Sequence, residues 1–267
     1  MTSVRLPLFP LNSVLFPGLV LPLNVFEARY RAMMRDLLAL PEDERRFGVV
    51  AIRDGREVAP SAPGLPDATA LPAAGPAAGF GTDPASAFHT VGCVADAATI
   101  REKSGSAPTP DEDAEAAPPA AAPGPGTSGY EVLATGTTRF KLLSVDASGP
   151  YLMGEVEELE ETEGEGAGAL ASGVVRAFRT YQKRLAWANE RTLAGGQELP
   201  AEPSVLSYLV AAAAVLDIPA KQRLLEAPDT AARLTQELKL LRQETAVIGK
   251  LPSLPAVDLT RHPTSPN

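Results

Sequence analysis

Apolar residues recur along the chain with two different periods, and the change of period divides it. Near the start, Leu6 and Leu8 lie two apart, on one face of an extended stretch. Phe16-Pro17-Gly18 then reads as a turn, because proline presets its φ and glycine tolerates a positive one. Val20 to Leu23 is extended again. Phe26, Tyr30, Met33 and Leu37 follow at steps of four, three and four, which is one face of a helix. Asn24 is the expected N-cap of that helix, with Glu27 reaching back to its backbone and Pro41 helping to end it. Strands are predicted at Phe47–Ile52, His89–Ile100 and Tyr151–Glu157. A hairpin is predicted from Tyr130–Thr135 to Arg139–Val145, turning at Gly136-Thr137-Thr138.

Beyond residue 168 the period lengthens. Val174, Phe178, Tyr181, Leu185 and Ala188 keep helical spacing, and so do Val205, Leu209, Ala212 and Leu216 after Pro203. Pro219 suits the first turn of a short helix carrying Leu224 and Leu225. Asp229 can cap a last helix with Leu234, Leu238, Leu241 and Ile248 on one side. Four helices joined by moderate loops suggest a bundle.

Two stretches break the pattern. Residues 56–87 and 104–128 are rich in Ala, Pro and Gly and have no apolar period, so they are expected to be low-complexity insertions in loops between strands. The tail, 251–267, reads the same way. The expected organisation is a β domain over 1–160 carrying both insertions, a helical domain over 168–250, and the tail. Between the domains seven glutamates occupy the eleven positions from Glu155 to Glu165, a run expected to be a solvated linker.

Charge changes this picture more than bulk composition does. The 267 residues carry a net −9, which argues against a general nucleic-acid binder. The charge is uneven: +2 over residues 1–53, −7 over 54–129, −7 over 130–167 and +3 over 168–267. One cysteine excludes a disulfide framework within the chain, and with only two histidines neither a metal site nor a cofactor is expected. The N-terminal apolar stretch is broken by Pro7, Pro10 and Pro17, and the longest apolar run, Leu209 to Leu216, is far too short to span a bilayer. No membrane association is expected, and the cytoplasm is the expected compartment.

Candidate chemistry is sparse. His89 and Cys93, four apart, would share a strand face, but no third ligand or orienting group lies nearby, so a buried thiol and a strand-end imidazole are the plainer reading. Arg29, Arg31 and Arg35 flank the apolar face of the first helix and read as a solvated face or a small anion-binding patch. Phe140 alternates with Leu142, so both are expected inside. Trp187 lies off the helical seam and reads equally as packed or as an exposed contact. No phosphate-binding GxxxxGK[ST] loop is present; Gly249-Lys250 is followed by Leu251.

The series LPLFPLNSVLFPGLVLPLNVFEARY, FGVV, HTVGCVA, GTTRFKL and YLMGEVE, in that order, resembles the N-terminal, substrate-binding domain of Lon proteases. Leu216-Asp217-Ile218-Pro219, Lys221 to Glu226 and Arg233-Leu234 extend the resemblance into the helical part. It implies an α+β fold, a PUA-like β-barrel followed by a C-terminal helical bundle. It also implies a stand-alone bacterial module without the ATPase and Ser-Lys peptidase domains, hence no catalytic residues. The function it implies is non-enzymatic recognition of unfolded or apolar protein segments. An adaptor that docks on a separate protease and an RNA-binding PUA-like module are the alternatives. Phe26, Tyr30 and Trp187 are the expected peptide-binding residues; Pro17, Gly18, Glu27, Arg29, Gly92, Gly136, Arg139 and Phe140 match the family's structural motif. Net acidity predicts that binding depends little on salt.

Overall fold

A computed structural model describes residues 3–53, 75–81, 83–103, 129–188 and 198–250. The chain divides into two compact units, Met1–Glu160 and Glu161–Asn267. The span 104–128 and the tail 251–267 lie outside the described residues, as does all of 56–74.

Six strands form the sheet of the first unit: β1 (Ser3–Leu11), β2 (Val20–Val25), β3 (Arg46–Ala51), β4 (Val91–Lys103), β5 (Gly129–Asp146) and β6 (Met153–Glu158). Their order is β2-β5-β4-β3-β1-β6, and β6 pairs again with β5. The 18-residue β5 makes this possible: its first half pairs with β2 and β4, its last residues with β6. The β1–β3 pair is parallel, and β2 and helix α1 (Ala28–Leu38) lie in the connection between them.

The period of two sorts side chains onto two cores. Leu6 and Leu8 of β1 join Val50, Val94, Phe140, Leu142 and Val156, while Phe9 and Leu11 join Phe47, Val49, Cys93 and the buried face of α1. Phe140 shows how tightly the first of these is built. Its ring fills the space left by two glycines on β3 and β4: a Cβ on Gly48 would sit 3.0 Å from the ring, and one on Gly92 would sit 2.4 Å from it. The Gly92 Cβ would also meet the Val49 carbonyl oxygen at 2.4 Å.

Three expectations are corrected here. Residues 130–145 are not a hairpin but one continuous strand. Cys93 faces Arg139 and Ala95 faces Gly136, so two residues of β5 oppose one of β4; this bulge gave Gly136-Thr137-Thr138 its turn-like composition. Asn24 does not cap α1. It lies within β2, opposite Glu131, and the helix starts after Glu27, whose side chain pairs with Arg29 instead of capping. The span 56–87 is not wholly an insertion outside the core. Ala78, Phe80 and Ala87 are buried, and the Phe80 and Phe88 rings meet edge-on at 4.8 Å.

The second unit comprises α2 (Ala167–Ala188), α3 (Pro203–Ala213), α4 (Ile218–Leu225) and α5 (Thr230–Lys250). Helices α2, α3 and α5 share an apolar core that includes Val174, Phe178, Tyr181, Leu206, Val210, Leu234 and Leu241, and α4 buries Leu224 and Leu225. Asp217 caps α4 by accepting from the Ala220 N–H at 2.8 Å, and Asp229 caps α5 by accepting from the Ala232 N–H at 2.7 Å.

Two substitutions test the packing at Phe140. Phe140→Ala is expected to cost about 3–5 kcal/mol as a large-to-small core change. Gly92→Ala is expected to cost about 1–3 kcal/mol by overpacking. Urea unfolding measures both; a Gly92→Ala variant as stable as the parent would contradict the close approach.

Candidate recognition site

The residues expected to form the family's structural motif fall into three contacts, all within the first unit. In the first, Pro17 and Gly18 form the turn, with Gly18 at φ 77° and the Leu19 N–H reaching the Phe16 carbonyl at 3.2 Å. Those dihedral and hydrogen-bond requirements are met by Pro followed by Gly. The turn docks on β5 through paired bonds of 2.8 Å, Gly18 N–H to Gly136 O and Gly136 N–H to Leu19 O. A Cβ on Gly136 would lie 2.5 Å from the Phe16 carbonyl oxygen, so Gly136 is there for close approach and not for a turn of its own.

The second contact is Gly92 against Phe140, with Arg139 buried on the opposite side of the strand beside Cys93. Burial pushes the Cys93 thiol up to about 12, although Thr137 and Arg139 pull the other way. A nucleophile or metal ligand needs the thiolate, which this setting disfavours. His89 precedes β4 and bonds through its N–H to the Ala51 carbonyl.

The third contact centres on Arg29. Its guanidinium lies 3.0 Å from the Glu27 carboxylate, donates to the Ala78 carbonyl at 2.7 Å and to the Pro76 carbonyl at 3.2 Å, and lies over the Tyr30 and Phe80 rings. Arg29 therefore does not belong to a solvated helix face. It ties α1 to residues 76–80 and is buried with them.

The three expected peptide-binding residues are placed differently from one another. Tyr30 is buried and stacks on Phe9 at 4.2 Å, so it serves the core. Phe26 lies just before α1 and is 46% exposed. Trp187, near the end of α2, is 68% exposed. Phe26 belongs to the first unit and Trp187 to the second.

Sequence reasoning missed a buried polar centre in the second unit. Arg233 on α5 has no solvent exposure. Its guanidinium bonds the Glu161 carboxylate at 3.0 Å, the Ser207 hydroxyl at 2.9 Å and the Leu224 carbonyl at 3.1 Å, and lies 3.9 Å from the Tyr208 ring. Glu161 also accepts from the Tyr208 hydroxyl and, at 2.8 Å, from Thr230. Glu161 comes from the glutamate run, so that run is not uniformly solvated. Partial burial pushes its carboxyl up, but the bonds from Arg233, Tyr208 and Thr230 outweigh this and hold it below the ordinary value. One turn beyond Arg233, Glu237 is buried with neither carboxylate oxygen hydrogen-bonded within the described residues. Burial pushes its pKa well above the ordinary value, against the pull of Arg233. The signal was legible in principle: Thr230, Arg233 and Glu237 follow helical spacing among leucines.

Against this geometry the sequence comparisons are specific. Residues 5–243 match the ATP-dependent protease La (LON) substrate-binding domain, so the match spans both units. The chain belongs to that family. It is 27% identical over 254 residues to the Lon protease of Anaeromyxobacter dehalogenans and 26% identical over 255 residues to Lon protease 2 of Myxococcus xanthus. Each alignment covers 91% of this chain and 24% of the relative, so the chain spans about a quarter of the length of these curated relatives. The fold resembles the N-terminal domain of the Mycobacterium avium complex Lon protease, with a TM-score of 0.53 at 18% identity, over 91% of this chain and 98% of that one.

The two glutamates are expected to respond oppositely to pH. Glu161 has a lowered pKa, so its contribution is present above the carboxylate range and lost as pH falls through it. Glu161→Gln is expected to cost about 2–4 kcal/mol at pH 7, because it leaves Arg233 buried without its counter-charge. Glu237 has a raised pKa, so the native state keeps a proton that the unfolded chain releases, and stability falls as pH rises above about 4.5. Glu237→Gln is therefore expected to be more stable than the parent at pH 8, on the order of 1 kcal/mol, with the gap closing toward pH 5. Urea titrations across that range measure both; a gap that widens on acidification would contradict the assignment.

Proposed function

We propose that this chain is a non-enzymatic module that recognises segments of other proteins. The observation that carries this reading is the match to the Lon substrate-binding family over residues 5–243, which takes in both compact units. The family's description names substrate binding, and the Lon relatives are proteases; the module supplies the selecting part of that division of labour. We read the circuit of strand pairings as the PUA-like barrel that the resemblance implies, and the four helices as its bundle. The clients are unfolded or apolar protein segments, with Phe26 and Trp187 as exposed apolar contacts; Tyr30 leaves that group because its ring serves the core. No helix among the described residues is long and apolar enough to cross a membrane. The cytoplasm is the compartment in which we place the protein.

Binding of this kind is driven by apolar burial at about 25 cal/mol per Å², offset by the cost of ordering the client. Dissociation constants in the micromolar range, about −8 kcal/mol, are expected. Fluorescence anisotropy with labelled unfolded peptides measures them, without nucleotide. Saturable micromolar binding together with no phosphate release from ATP is the expected result. No binding of any peptide at about 100 μM protein would contradict the reading and favour an adaptor that docks on a folded protease.

A further inference from the structure

Helices α2 and α5 run side by side in the same direction: Gly173 neighbours Leu238, and Tyr181 neighbours Glu244. Their outer faces leave an open groove of about 580 Å³. Its floor is apolar, with Ala177, Leu238 and Leu241, and three arginines stand along it, Arg176 and Arg184 from α2 and Arg242 from α5. All three arginines are exposed, and none is in an ion pair among the described residues. No carboxylate among the described residues lines the groove.

The charge around the groove is one-sided for a reason visible in the sequence. Helix α2 carries Arg176, Arg179, Lys183 and Arg184 and no acidic residue. Of the two glutamates on α5, Glu237 is buried and Glu244 lies toward Tyr181. A chain of net −9 thus presents a cationic, apolar-floored channel on its helical unit.

We infer that this groove binds acidic polypeptide segments that also carry apolar side chains, an inference that rests on the protein-recognition reading above. Leucine-sized side chains would cover the floor, and carboxylates at intervals along the same segment would meet the three guanidinium groups. Arginine suits this role because its planar fork can hold a carboxylate by two bonds. Nucleic acid is the poorer fit: among the described residues no aromatic ring lines the groove for base stacking, and its floor is aliphatic. Salt-independent binding, expected from net charge, is then a property of neutral clients only.

The test compares two labelled peptides, one of leucines and glutamates and its analogue with each glutamate replaced by glutamine, with an RNA oligomer alongside. The full chain, the triple variant Arg176→Gln/Arg184→Gln/Arg242→Gln, and a charge-matched control with Arg101→Gln, Arg223→Gln and Lys239→Gln are titrated at low and high salt. Circular dichroism confirms that each is folded. The parent is expected to bind the acidic peptide about tenfold more tightly than its neutral analogue at low salt, and to lose that preference at high salt. The triple variant is expected to lose the preference, and the control to stay within about twofold of the parent. An unchanged triple variant, or a control that loses as much, would overturn the groove assignment while leaving protein recognition standing. Tighter binding of the RNA would overturn the ligand class. Failure of both peptides to bind the parent would remove the recognition reading itself.

Discussion

A guanidinium with no solvent exposure organises the second unit. An uncompensated buried charge costs several kcal/mol, so Arg233 requires a counter-charge, and Glu161 supplies it. Meeting that requirement fixes much else. It places the segment just before α2 against the start of α5, where the Thr230 and Ala231 N–H groups, which the helix itself cannot satisfy, reach the carbonyls of Thr162 and Glu163 at 2.9 Å. It draws in α3 through Ser207 and Tyr208, and the end of α4 through the Leu224 carbonyl. One ion pair thus connects three helices, α3, α4 and α5, with the segment that leads into α2.

The first unit depends instead on shape. Close approach is bought with glycine: Gly48 and Gly92 admit the Phe140 ring, and Gly136 admits the Pro17-Gly18 turn. Each is a place where backbone or a ring occupies the volume of a side chain. The Arg29 guanidinium adds a polar tie between α1 and residues 76–80, inside an otherwise apolar region.

The stripes of α2 and α5 were legible because they are long, and the caps Asp217 and Asp229 because they are chemically unambiguous. On α3, which is apolar on most sides, the buried face is Leu206 and Val210, one residue on from the expected Val205 and Leu209. Strand positions were legible from β-branched runs, and the burial of Phe140 with Leu142 from simple alternation. Errors arose where one residue type serves two purposes. Gly136 looked like a hairpin turn because a bulge and a tight contact favour the same residue. Asn24 looked like a cap, but its strand pairing with β5 prevailed over local propensity. Phe80 sits in a stretch whose Ala, Pro and Gly content hid a buried aromatic. Glu161 was hidden among six similar glutamates, because nothing local marks which one meets a partner 72 positions away.

Burying one cation with one glutamate also shapes the outer surface. The acidic run contributes Glu161 to the interior of the helical unit, while the arginines on the outer faces of α2 and α5 keep their charge available to a partner. The central claim, that this chain binds protein segments and takes acidic, leucine-bearing ones in the groove of its helical unit, is tested most directly by photo-crosslinking. A glutamate- and leucine-containing peptide bearing a benzophenone group is irradiated with the full chain, and the products are mapped by mass spectrometry. The account predicts crosslinks concentrated in residues 173–184 and 238–246, competed away by unlabelled peptide. Crosslinks scattered evenly over the chain, or unaffected by competitor, would contradict it.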